Sequence, residues 1–532
     1  MLVATAQAAV LGFNMRRRPF LLSGLAVVGA SAARPVWAQS VPDPQAPALD
    51  DKIGPGYSRL VITNWGDALQ PDSPAFAPDA LTAAQASGQF PYDAVIAGLI
   101  SPPPAQDGIP RRILVTANPT APARMLFPAG LDNPDVAGKE QGVTVMNLQY
   151  LAGEWVTVIG GYQTRRLSDG TLCQMAGPVA ANIGDTAQGV LAVNSGCVTP
   201  WGSMLLTEGD CTPWLSRLSG LGLGYDSPQN APLYGWIIEF DPLNPLALPV
   251  KQTALGRMAR QGIVATVSKA GLPVVFFTQS APAGMLFRFI GSAAGSLSSG
   301  QLSVAILNDT GIEWVDLPDA PSALAELADS ATTVGGETFD APGGLALSAD
   351  GGTLYMACGG NADRSVADLL NPRAGCNDGH IIRFTLPGAD STAQTFQGQI
   401  ALVAGDPATS PATQYGPGSE AWLRKPQTLA IDPAGNLWIG TNQYGNTTQT
   451  ADGLFVMQTN GPAQGAVAYA YLAPVGAAAG GVAFDIDTKT AIGAIRHPGA
   501  TPGASFDNPA TRWPTLRPDM PPQTTIIGLV TV

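Results

Sequence analysis

The sequence predicts an all-β protein, and three observations support this fold class. Only 13% of the 532 residues are charged, so the residues that favour long helices are scarce. The 62 Gly and 47 Pro together make up about a fifth of the chain, whereas these two residues account for ~12% of average proteins. Runs of four or five alternating apolar residues recur, separated by Ser or Asp and Gly in turn positions, which is typical of β-hairpins.

Four related hairpins are visible, and they are far apart in the chain. They occupy residues 344–357, 428–440, 263–277 and 481–495. Such wide spacing indicates repeat units that contain more than one hairpin plus inserted loops. Radially repeated sheets bury both faces of each unit, so we expect a β-propeller with inserted loops. A pair of β-sandwiches is the alternative. Short helices are expected only over residues 322–329 and 81–86.

The first forty residues have the features of an export signal. Arg16, Arg17 and Arg18 form a basic segment, residues 20–33 are apolar and small, and a small residue at Ala38 suits cleavage. Two adjacent arginines before Phe20 and a leucine match the pattern read by the twin-arginine translocase, which carries folded proteins. The apolar stretch is too short for a membrane span. We therefore predict a twin-arginine signal peptide over residues 1–38 and a periplasmic or secreted protein.

The mature chain divides into two parts. Residues 39–56 are rich in Pro and Asp without periodicity, which predicts a flexible lead-in, and residues 57–532 form one propeller domain. Met15 could be the true start instead of Met1, because residues 1–14 add nothing to a signal. No later segment offers 18 uninterrupted apolar residues, so no membrane span is expected.

Charge and cysteine content limit the possible partners. The formal net charge is −13, and no Lys/Arg-rich run follows the signal, which excludes nucleic acid as an expected partner. The expected partner is therefore an unidentified small molecule or a protein of the cell envelope.

The five cysteines would be exposed to an oxidising compartment after export. Bridges between Cys358 and Cys376 or between Cys197 and Cys211 are both compatible with their spacing, and at least one cysteine stays unpaired.

Several short blocks resemble one protein family. The blocks are Trp65-Gly66-Asp67, Val198-Thr199-Pro200-Trp201-Gly202, Tyr234-Gly235-Trp236, Lys251-Gln252-Thr253-Ala254-Leu255-Gly256-Arg257, Asn371-Pro372-Arg373-Ala374, Gly379-His380-Ile381-Ile382 and His497-Pro498-Gly499. In this order they resemble the PhoX-type alkaline phosphatases over nearly the whole mature chain. The resemblance implies a propeller of six blades and hydrolysis of phosphomonoesters by a cluster of iron and calcium. Scaffold reasons alone can also explain these blocks, with Trp201 and Trp236 as aromatic core residues.

The family's metal ligands can be compared position by position. A family cysteine that precedes G-G-V-T-P-W-G and binds iron corresponds to Asn194 in this chain. Cys197 lies three residues further on, and burial or a disulfide explains its presence better than metal binding does. The family's C-E-E-N segment corresponds to residues 207–210, in which Glu208 alone stays in register. The resemblance thus implies Glu208 as the single retained metal ligand.

None of the remaining ligand positions carries an anionic side chain. A family His-Glu pair corresponds to Arg260-Gln261, a G-D-D run to residues 278–280, and an R-P-E-D motif to residues 341–344. The family's N-H-E-Y corresponds to residues 117–120 and its P-D-N to residues 426–428. Losing about six anionic ligands removes most of the charge balance of a polycation cluster. No cofactor is therefore expected.

Two functions are possible, and the number of lost anionic ligands decides which of them is preferred. The first is an exported homologue without phosphomonoesterase activity that acts as a binding or scaffold propeller. The alternative is an active phosphomonoester hydrolase with a reduced metal site that uses calcium, with or without iron. The residues that support this alternative are Glu208, Asp210, Arg373 and His380. Arg373 and His380 are explained better as structural residues. A Ser-His-Asp triad would need His380 or His497, and no hydrolase motif supports one.

Overall fold

Short antiparallel strands joined by turns dominate the structure, a computed structural model that describes residues 45–222, 230–410, 412–445, 448 and 450–532. The predicted signal peptide, residues 1–38, and the start of the predicted lead-in, residues 39–44, lie outside the described residues. Strands alternate buried and exposed positions where one face meets solvent, and are buried throughout where both faces are covered.

The strands of the first half form three blades after two N-terminal strands. The two are β1 (Lys52–Ile53) and β2 (Tyr57–Asn64). Blade 1 contains β3 (Val95–Ile100), β4 (Arg111–Asn118), β5 (Gly142–Leu151), β6 (Glu154–Thr157) and β7 (Arg165–Leu167). Blade 2 contains β8 (Leu172–Ala176), β9 (Thr186–Gln188), β10 (Val193–Val198), β11 (Met204–Glu208), β12 (Ile237–Phe240) and β13 (Val250–Gln252). Blade 3 contains β14 (Arg260–Val267), β15 (Pro273–Gln279), β17 (Leu286–Ala293), β18 (Ser296–Asn308) and β19 (Gly311–Asp316), and β16 (Ala283–Gly284) belongs to a separate two-stranded sheet.

The second half forms three further blades. Blade 4 contains β21 (Pro342–Leu347), β22 (Thr353–Cys358), β23 (His380–Thr385) and β24 (Thr395–Val403), and β20 (Phe339–Asp340), which precedes it, pairs with β16. Blade 5 contains β25 (Pro426–Ile431), β26 (Leu437–Thr441), β27 (Gly453–Met457) and β28 (Val467–Leu472), and blade 6 contains β29 (Ala478–Asp485), β30 (Thr490–Arg496) and β31 (Thr525–Thr531).

The six blades surround one axis. In the described chain, the innermost strands β3, β10, β14, β21, β25 and β29 are neighbours in a closed ring, and residues from all six line a narrow cavity of about 60 Å³. This arrangement confirms the predicted all-β propeller. Blades 3 and 4 are joined at their outer edges, because β19 pairs with β24 in a single nine-stranded sheet.

An N-terminal strand closes the ring. β2 pairs with β31 along seven residue positions, so blade 6 combines one strand from the beginning of the chain with three from its end. β1 likewise adds to the edge of blade 5 by pairing with β28. Closure leaves few exposed strand edges, which suits a sheet protein that must avoid pairing with other chains.

The four predicted hairpins are all present, as β14/β15, β21/β22, β25/β26 and β29/β30. The turns of these hairpins explain why the sequence pattern predicts them. Asp432 accepts hydrogen bonds from the backbone N–H groups of Ala434 (2.9 Å) and Asn436 (2.8 Å), and Gly435 has a φ of +88°, a conformation that favours glycine.

Helices are short and lie in the loops. They are α1 (Ala83–Gly88), α2 (Ala123–Leu126), α3 (Pro134–Glu140), α4 (Ala180–Ile183), α5 (Thr212–Leu218), α6 (Pro321–Ala325) and α7 (Leu327–Thr333), with 3-10 turns at Pro78–Ala80, Pro128–Gly130, Ala231–Leu233, Thr253–Leu255 and Pro387–Ala389. The helix predicted over residues 322–329 is two helices, because Glu326 leaves the helical conformation (φ −124°, ψ 58°). None of the helices in the described ranges combines the length and apolar composition that a membrane crossing requires.

The second part of the predicted lead-in is bonded to the propeller. Gln45 is buried, and its side-chain amide donates to the Trp422 carbonyl (2.6 Å) and to Thr450 Oγ1 (3.1 Å). The Val475 N–H donates to the Ala48 carbonyl (2.7 Å). These bonds need no hydrophobic periodicity, which is why the sequence pattern of residues 45–56 does not reveal them.

Large aromatic rings fill the spaces between sheets. The Trp314 ring lies 5.8 Å from Phe276 and 5.5 Å from Phe396, which joins blades 3 and 4. Trp236 is completely buried, as predicted. Trp201 is only partly buried, because its indole N–H donates to Glu239 Oε1 (3.0 Å) near the surface.

Candidate functional site

The mouth of the propeller lies where the inner strands begin. Two adjoining cavities of about 400 and 520 Å³ open there, above the narrow axial cavity. Five residues line both of them: Gln261, Ser280, Gln427, Asn442 and Tyr444. These five carry three carboxamides and two hydroxyls, and we call them the amide–hydroxyl cluster. Pockets of this size and concavity are typical of small-molecule sites.

Irregular strand pairing turns side chains toward the axis. Each of the six inner strands has a register shift close to its start, and in β10, β14 and β25 the shift falls at Asn194, Gln261 and Gln427. An extra residue in one strand bends it and redirects a side chain, so bulges are frequent beside functional sites. All three amide side chains line the axial cavity.

Hydrogen bonds hold one half of the amide–hydroxyl cluster in place. Gln427 Nε2 donates to the Tyr444 hydroxyl (3.1 Å), and Asn442 Nδ2 donates to Gln427 Oε1 (2.9 Å). The Tyr444 N–H donates to Asn442 Oδ1 (2.8 Å). The Ser280 hydroxyl donates to Gln261 Oε1 at a longer distance of 3.4 Å. Within the described ranges, Gln261 Nε2 donates to no protein group, so its two N–H bonds remain available.

Unusual backbone conformations are concentrated around the mouth. Ala341, Lys425, Tyr444 and His497 line its cavities with positive φ values of 49°, 48°, 57° and 34°. Residues with a side chain avoid this region, at a cost of about 1–3 kcal/mol each, and persist in it where the surrounding fold imposes it. Ala341 and Lys425 directly precede β21 and β25, so the strain lies where the chain enters an inner strand.

Two arginines at the mouth are paired with acids. Arg496 binds Asp93 through two hydrogen bonds, from Nε (2.8 Å) and Nη2 (2.9 Å). Burial alone would raise the pKa of Asp93, but the Arg496 guanidinium lowers it to about 2. Arg217 donates from Nε to Asp132 Oδ2 (2.9 Å). Their positive charges are therefore largely satisfied within the protein.

Two other basic groups at the mouth bond to uncharged oxygens. Lys425 Nζ donates to Asn377 Oδ1 (2.8 Å), and burial lowers the pKa of its ammonium group. His497 Nδ1 lies 3.4 Å from the Gly476 carbonyl. Burial and the neighbouring Arg496 lower the pKa of His497, which favours a neutral ring. Sequence reasoning did not identify Arg496 or Lys425, although each directly precedes a block that it did single out.

Glu208 does not line the mouth. Its carboxylate is completely buried at the end of β11, where Oε1 accepts from Lys251 Nζ (2.8 Å) and the Leu191 N–H (3.2 Å). Oε2 accepts from the N–H groups of Gly235 (2.9 Å) and Trp236 (3.1 Å). Both oxygens thus have protein donors. The predicted metal-binding role of Glu208 stays a prediction.

The other acid and basic candidates are divided between the mouth and the interior. Asp210 lines the mouth, and its Oδ1 accepts from the Thr212 N–H (2.9 Å) at the start of α5. Arg373 donates to the carbonyls of Gly379 (2.9 Å) and Ala404 (2.8 Å). His380 is buried with Nε2 donating to the Leu370 carbonyl (2.9 Å), and burial lowers its pKa to about 3. Arg373 and His380 therefore hold loops in place.

The five cysteines are free thiols, so neither candidate disulfide is formed. Cys211 and Cys358 are buried, and burial raises the pKa values of both thiols far above the ordinary range. Cys197 is partly buried in β10, and burial raises its pKa to about 12. A protonated thiol is a poor metal ligand. In the parts of the chain that the structure describes, no group of three or more His, Cys, Asp and Glu side chains could hold a metal ion.

The comparisons with known proteins agree with this architecture. No curated protein matches the chain. Pseudomonas fluorescens PhoX in complex with vanadate, a transition state analogue, superimposes with a TM-score of 0.81 at 23% identity, covering 92% of this chain and 97% of that one.

Other solved structures are much less similar. A gluconolactonase from Xanthomonas campestris (TM-score 0.29, 13% identity, covering 82% of this chain and 97% of that one) and an α-L-arabinofuranosidase from Fusarium graminearum (0.33, 8%, 88% and 98%) are too distant to inform the site. The model of the family described as alkaline phosphatase PhoX matches residues 42–499. The chain therefore belongs to the PhoX alkaline phosphatase family.

Proposed function

We propose that this chain is an exported PhoX-family propeller that does not assemble an iron and calcium cluster and that binds a ligand at its mouth without hydrolysing phosphomonoesters. One observation carries the proposal. Several positions aligned with family metal ligands, although not Glu208, line the mouth and the axial cavity, where Asn194, Gln261 and Gln427 present carboxamides and Ser280 a hydroxyl. Export is supported by the signal pattern of residues 1–38.

Charge explains why these residues do not fit the cluster. Calcium and iron take hard anionic oxygens, and several multiply charged cations in one site need many carboxylates. A carboxamide oxygen can join such a set but contributes no net charge. Of the carboxylates near the axis, Asp93 is paired with Arg496, and Asp210 and Asp363 line the mouth. Replacing metal and ligands together avoids leaving unpaired buried charges.

Phosphoryl transfer depends on such cations. They clamp the transferring group and supply or orient the nucleophile, and little other chemistry is available to replace them. The mouth side chains can bind and orient a ligand through hydrogen bonds. The proposal therefore retains the binding role of the mouth and drops the catalytic one.

Metal analysis combined with an activity assay tests the proposal. The exported protein is purified, incubated with calcium and iron, desalted and analysed by mass spectrometry for bound metal, then assayed with p-nitrophenyl phosphate at alkaline pH. We expect less than stoichiometric metal and no turnover above that of a heat-denatured sample. Stoichiometric iron together with turnover would show that the proposal is wrong.

A second candidate is a calcium-dependent phosphomonoesterase with a reduced site. Its supporting observation is the Asp210 carboxylate in the mouth cavity. In that case, turnover appears with calcium alone and is lost in Asp210→Asn. The matched control Asp319→Asn removes an exposed carboxylate outside the mouth and should leave turnover unchanged.

For Glu208 we propose a structural role as the counter-ion of Lys251. Its four donors support this assignment, because a carboxylate with both oxygens engaged would have to give up protein bonds to bind a cation.

A further inference from the structure

We infer that the mouth binds an uncharged, hydroxyl-rich ligand, namely a carbohydrate of one or two rings. This inference rests on the proposed function and specifies the ligand class of the same site. It is drawn from three features of the mouth: the balance of its charges, the hydrogen-bonding capacity of the amide–hydroxyl cluster, and an exposed aromatic ring.

Charge balance disfavours an anionic ligand. Arg496 and Arg217 are engaged by Asp93 and Asp132, and Lys425 donates to an amide oxygen. Asp210 and Asp363 add negative charge to the lining. The whole chain carries a net charge of −13, so its long-range field repels anions. Among the described residues of the mouth, an anion would therefore meet no arginine without an acidic partner, whereas a neutral ligand is not subject to this charge repulsion.

The cluster offers donors and acceptors side by side. Each amide presents N–H groups next to a carbonyl oxygen, and a sugar hydroxyl can donate and accept at once. Gln261 Nε2 has both N–H bonds available among the described residues, and Ser280 Oγ can accept. Asn442 and Gln427 each use one of two N–H bonds. Two adjacent hydroxyls of a sugar match such an arrangement, because each amide can bond to both.

Tyr444 supplies an apolar surface beside these polar groups. It is 66% exposed, although its backbone is held at φ +57° and its hydroxyl accepts from Gln427. A large ring that is both exposed and fixed loses little conformational freedom on binding. The C–H face of a sugar ring can pack on it while the hydroxyls reach the amides. The Trp214 side chain lines the same cavity from α5.

The cavities also suit the size of such a ligand. Their volumes of about 400 and 520 Å³ lie within the range found for small-molecule sites, and the shared cluster lies between them. A ligand centred on the cluster could therefore extend to either side.

Titration with neutral sugars tests the inference. Calorimetry of the exported, full-length mature protein uses glucose, N-acetylglucosamine, maltose, cellobiose and chitobiose, with glucose 6-phosphate and glycerol 2-phosphate as anionic probes. We expect one neutral sugar to bind with one-to-one stoichiometry, with an affinity that is unchanged between low and high salt. The phosphorylated probes should bind at least about tenfold more weakly.

Variants assign the binding to the cluster. Gln261→Ala removes the available amide and should weaken sugar binding about tenfold or more, and Gln261→Asn should lose less because it keeps an amide. Gln397→Ala, which truncates an exposed amide on β24, is the matched control and should bind like the unaltered protein. Circular dichroism confirms that each variant is folded.

The contrary outcomes are distinct. Absence of binding by all five sugars up to about 10 mM, binding of the phosphorylated probes alone, or sugar affinity unchanged in Gln261→Ala would each overturn the inference. Failure of the proposed function shows itself instead as bound iron with turnover, so the two can be told apart.

Discussion

Lys251 Nζ lies 2.8 Å from Glu208 Oε1, and both side chains are completely buried between β11 and β13. The ammonium group also donates to the Leu233 carbonyl (3.1 Å) and lies 4.3 Å from the centre of the Tyr234 ring. The pair is thus enclosed by hydrogen bonds and an aromatic face. Removing one partner leaves an uncompensated charge in the interior.

Glu208→Gln should therefore destabilise the protein by about 3–5 kcal/mol, as expected when one member of a buried ion pair is neutralised. Urea unfolding followed by tryptophan fluorescence measures this change. Glu154→Gln, which alters an exposed carboxylate at the edge of blade 1, is the control and should have little effect. Unchanged stability with loss of a bound metal would instead support the predicted metal role.

The stability contributed by Asp452 and Glu140 should decrease as pH rises from about 4 to 7, whereas the lowered pKa values of His380 and His497 add stability over the same range. Burial raises the pKa of Asp452 to about 6 and that of Glu140 to about 7, so these two groups bind more protons in the folded state than in the unfolded state in this range. The stability that each contributes is fully present below its unfolded pKa and is lost as pH rises through its folded pKa. Each contributes at most about 3 kcal/mol.

Asp452→Asn tests this pH dependence. An amide can accept from the Gln443 N–H and donate to Thr441 Oγ1, so the local bonds are kept while the titrating group is removed. The unfolding free energy at pH 8 minus that at pH 5 should be about 1–3 kcal/mol more positive in the variant than in the unaltered protein, because the loss due to Asp452 is absent. An unchanged difference would exclude Asp452 as a source of the pH dependence.

Restoring carboxylates at the axis should create a cation site. In the double variant Gln261→Glu and Gln427→Asp, two acids face the same cavities, and calcium should bind with a Kd of roughly 1 mM or lower. Calorimetry measures the binding, and Gln397→Glu provides the matched control on an exposed strand position. Lack of calcium binding in the folded double variant would show that charge at these two positions is not sufficient.

Export should require the adjacent arginines. Changing Arg17 and Arg18 to Lys keeps the charge but removes the pair read by the translocase, so the protein should remain in the cytoplasm. Immunoblots of fractionated cells measure its distribution. Arg16→Lys is the control and should be exported. Export of the double variant would point to the general secretory route.

Local sequence patterns predicted the blade hairpins because their turns use side chains that bond to nearby backbone. Asp432 and Gly435 lie within four residues of the groups they hold, so the signal is local. Except for Glu208, aligned ligand positions come together at the mouth, because the beginnings of inner strands, as at Gln261, and the ends of the strands paired with them, as at Ser280, lie at the same edge of a blade. Glu208 was placed in register, but its partner Lys251 is 43 residues away, and no local pattern reports such a pair.

The missing parts of the prediction share this long-range origin. Asp93 and Arg496 are 403 residues apart in sequence and meet only because blades 1 and 6 are neighbours in the ring. Gln45 is held by groups more than 370 residues away.

The pairing of β2 with β31 has a consequence for biogenesis. Leu60 lies opposite Gly528, so β2 has no partner on that edge until β31 has been synthesised. The nascent chain must then keep Tyr57–Asn64 unpaired while five blades form behind it. On the proposed twin-arginine route, which carries folded proteins, export would therefore have to wait until β31 has been synthesised and has paired with β2.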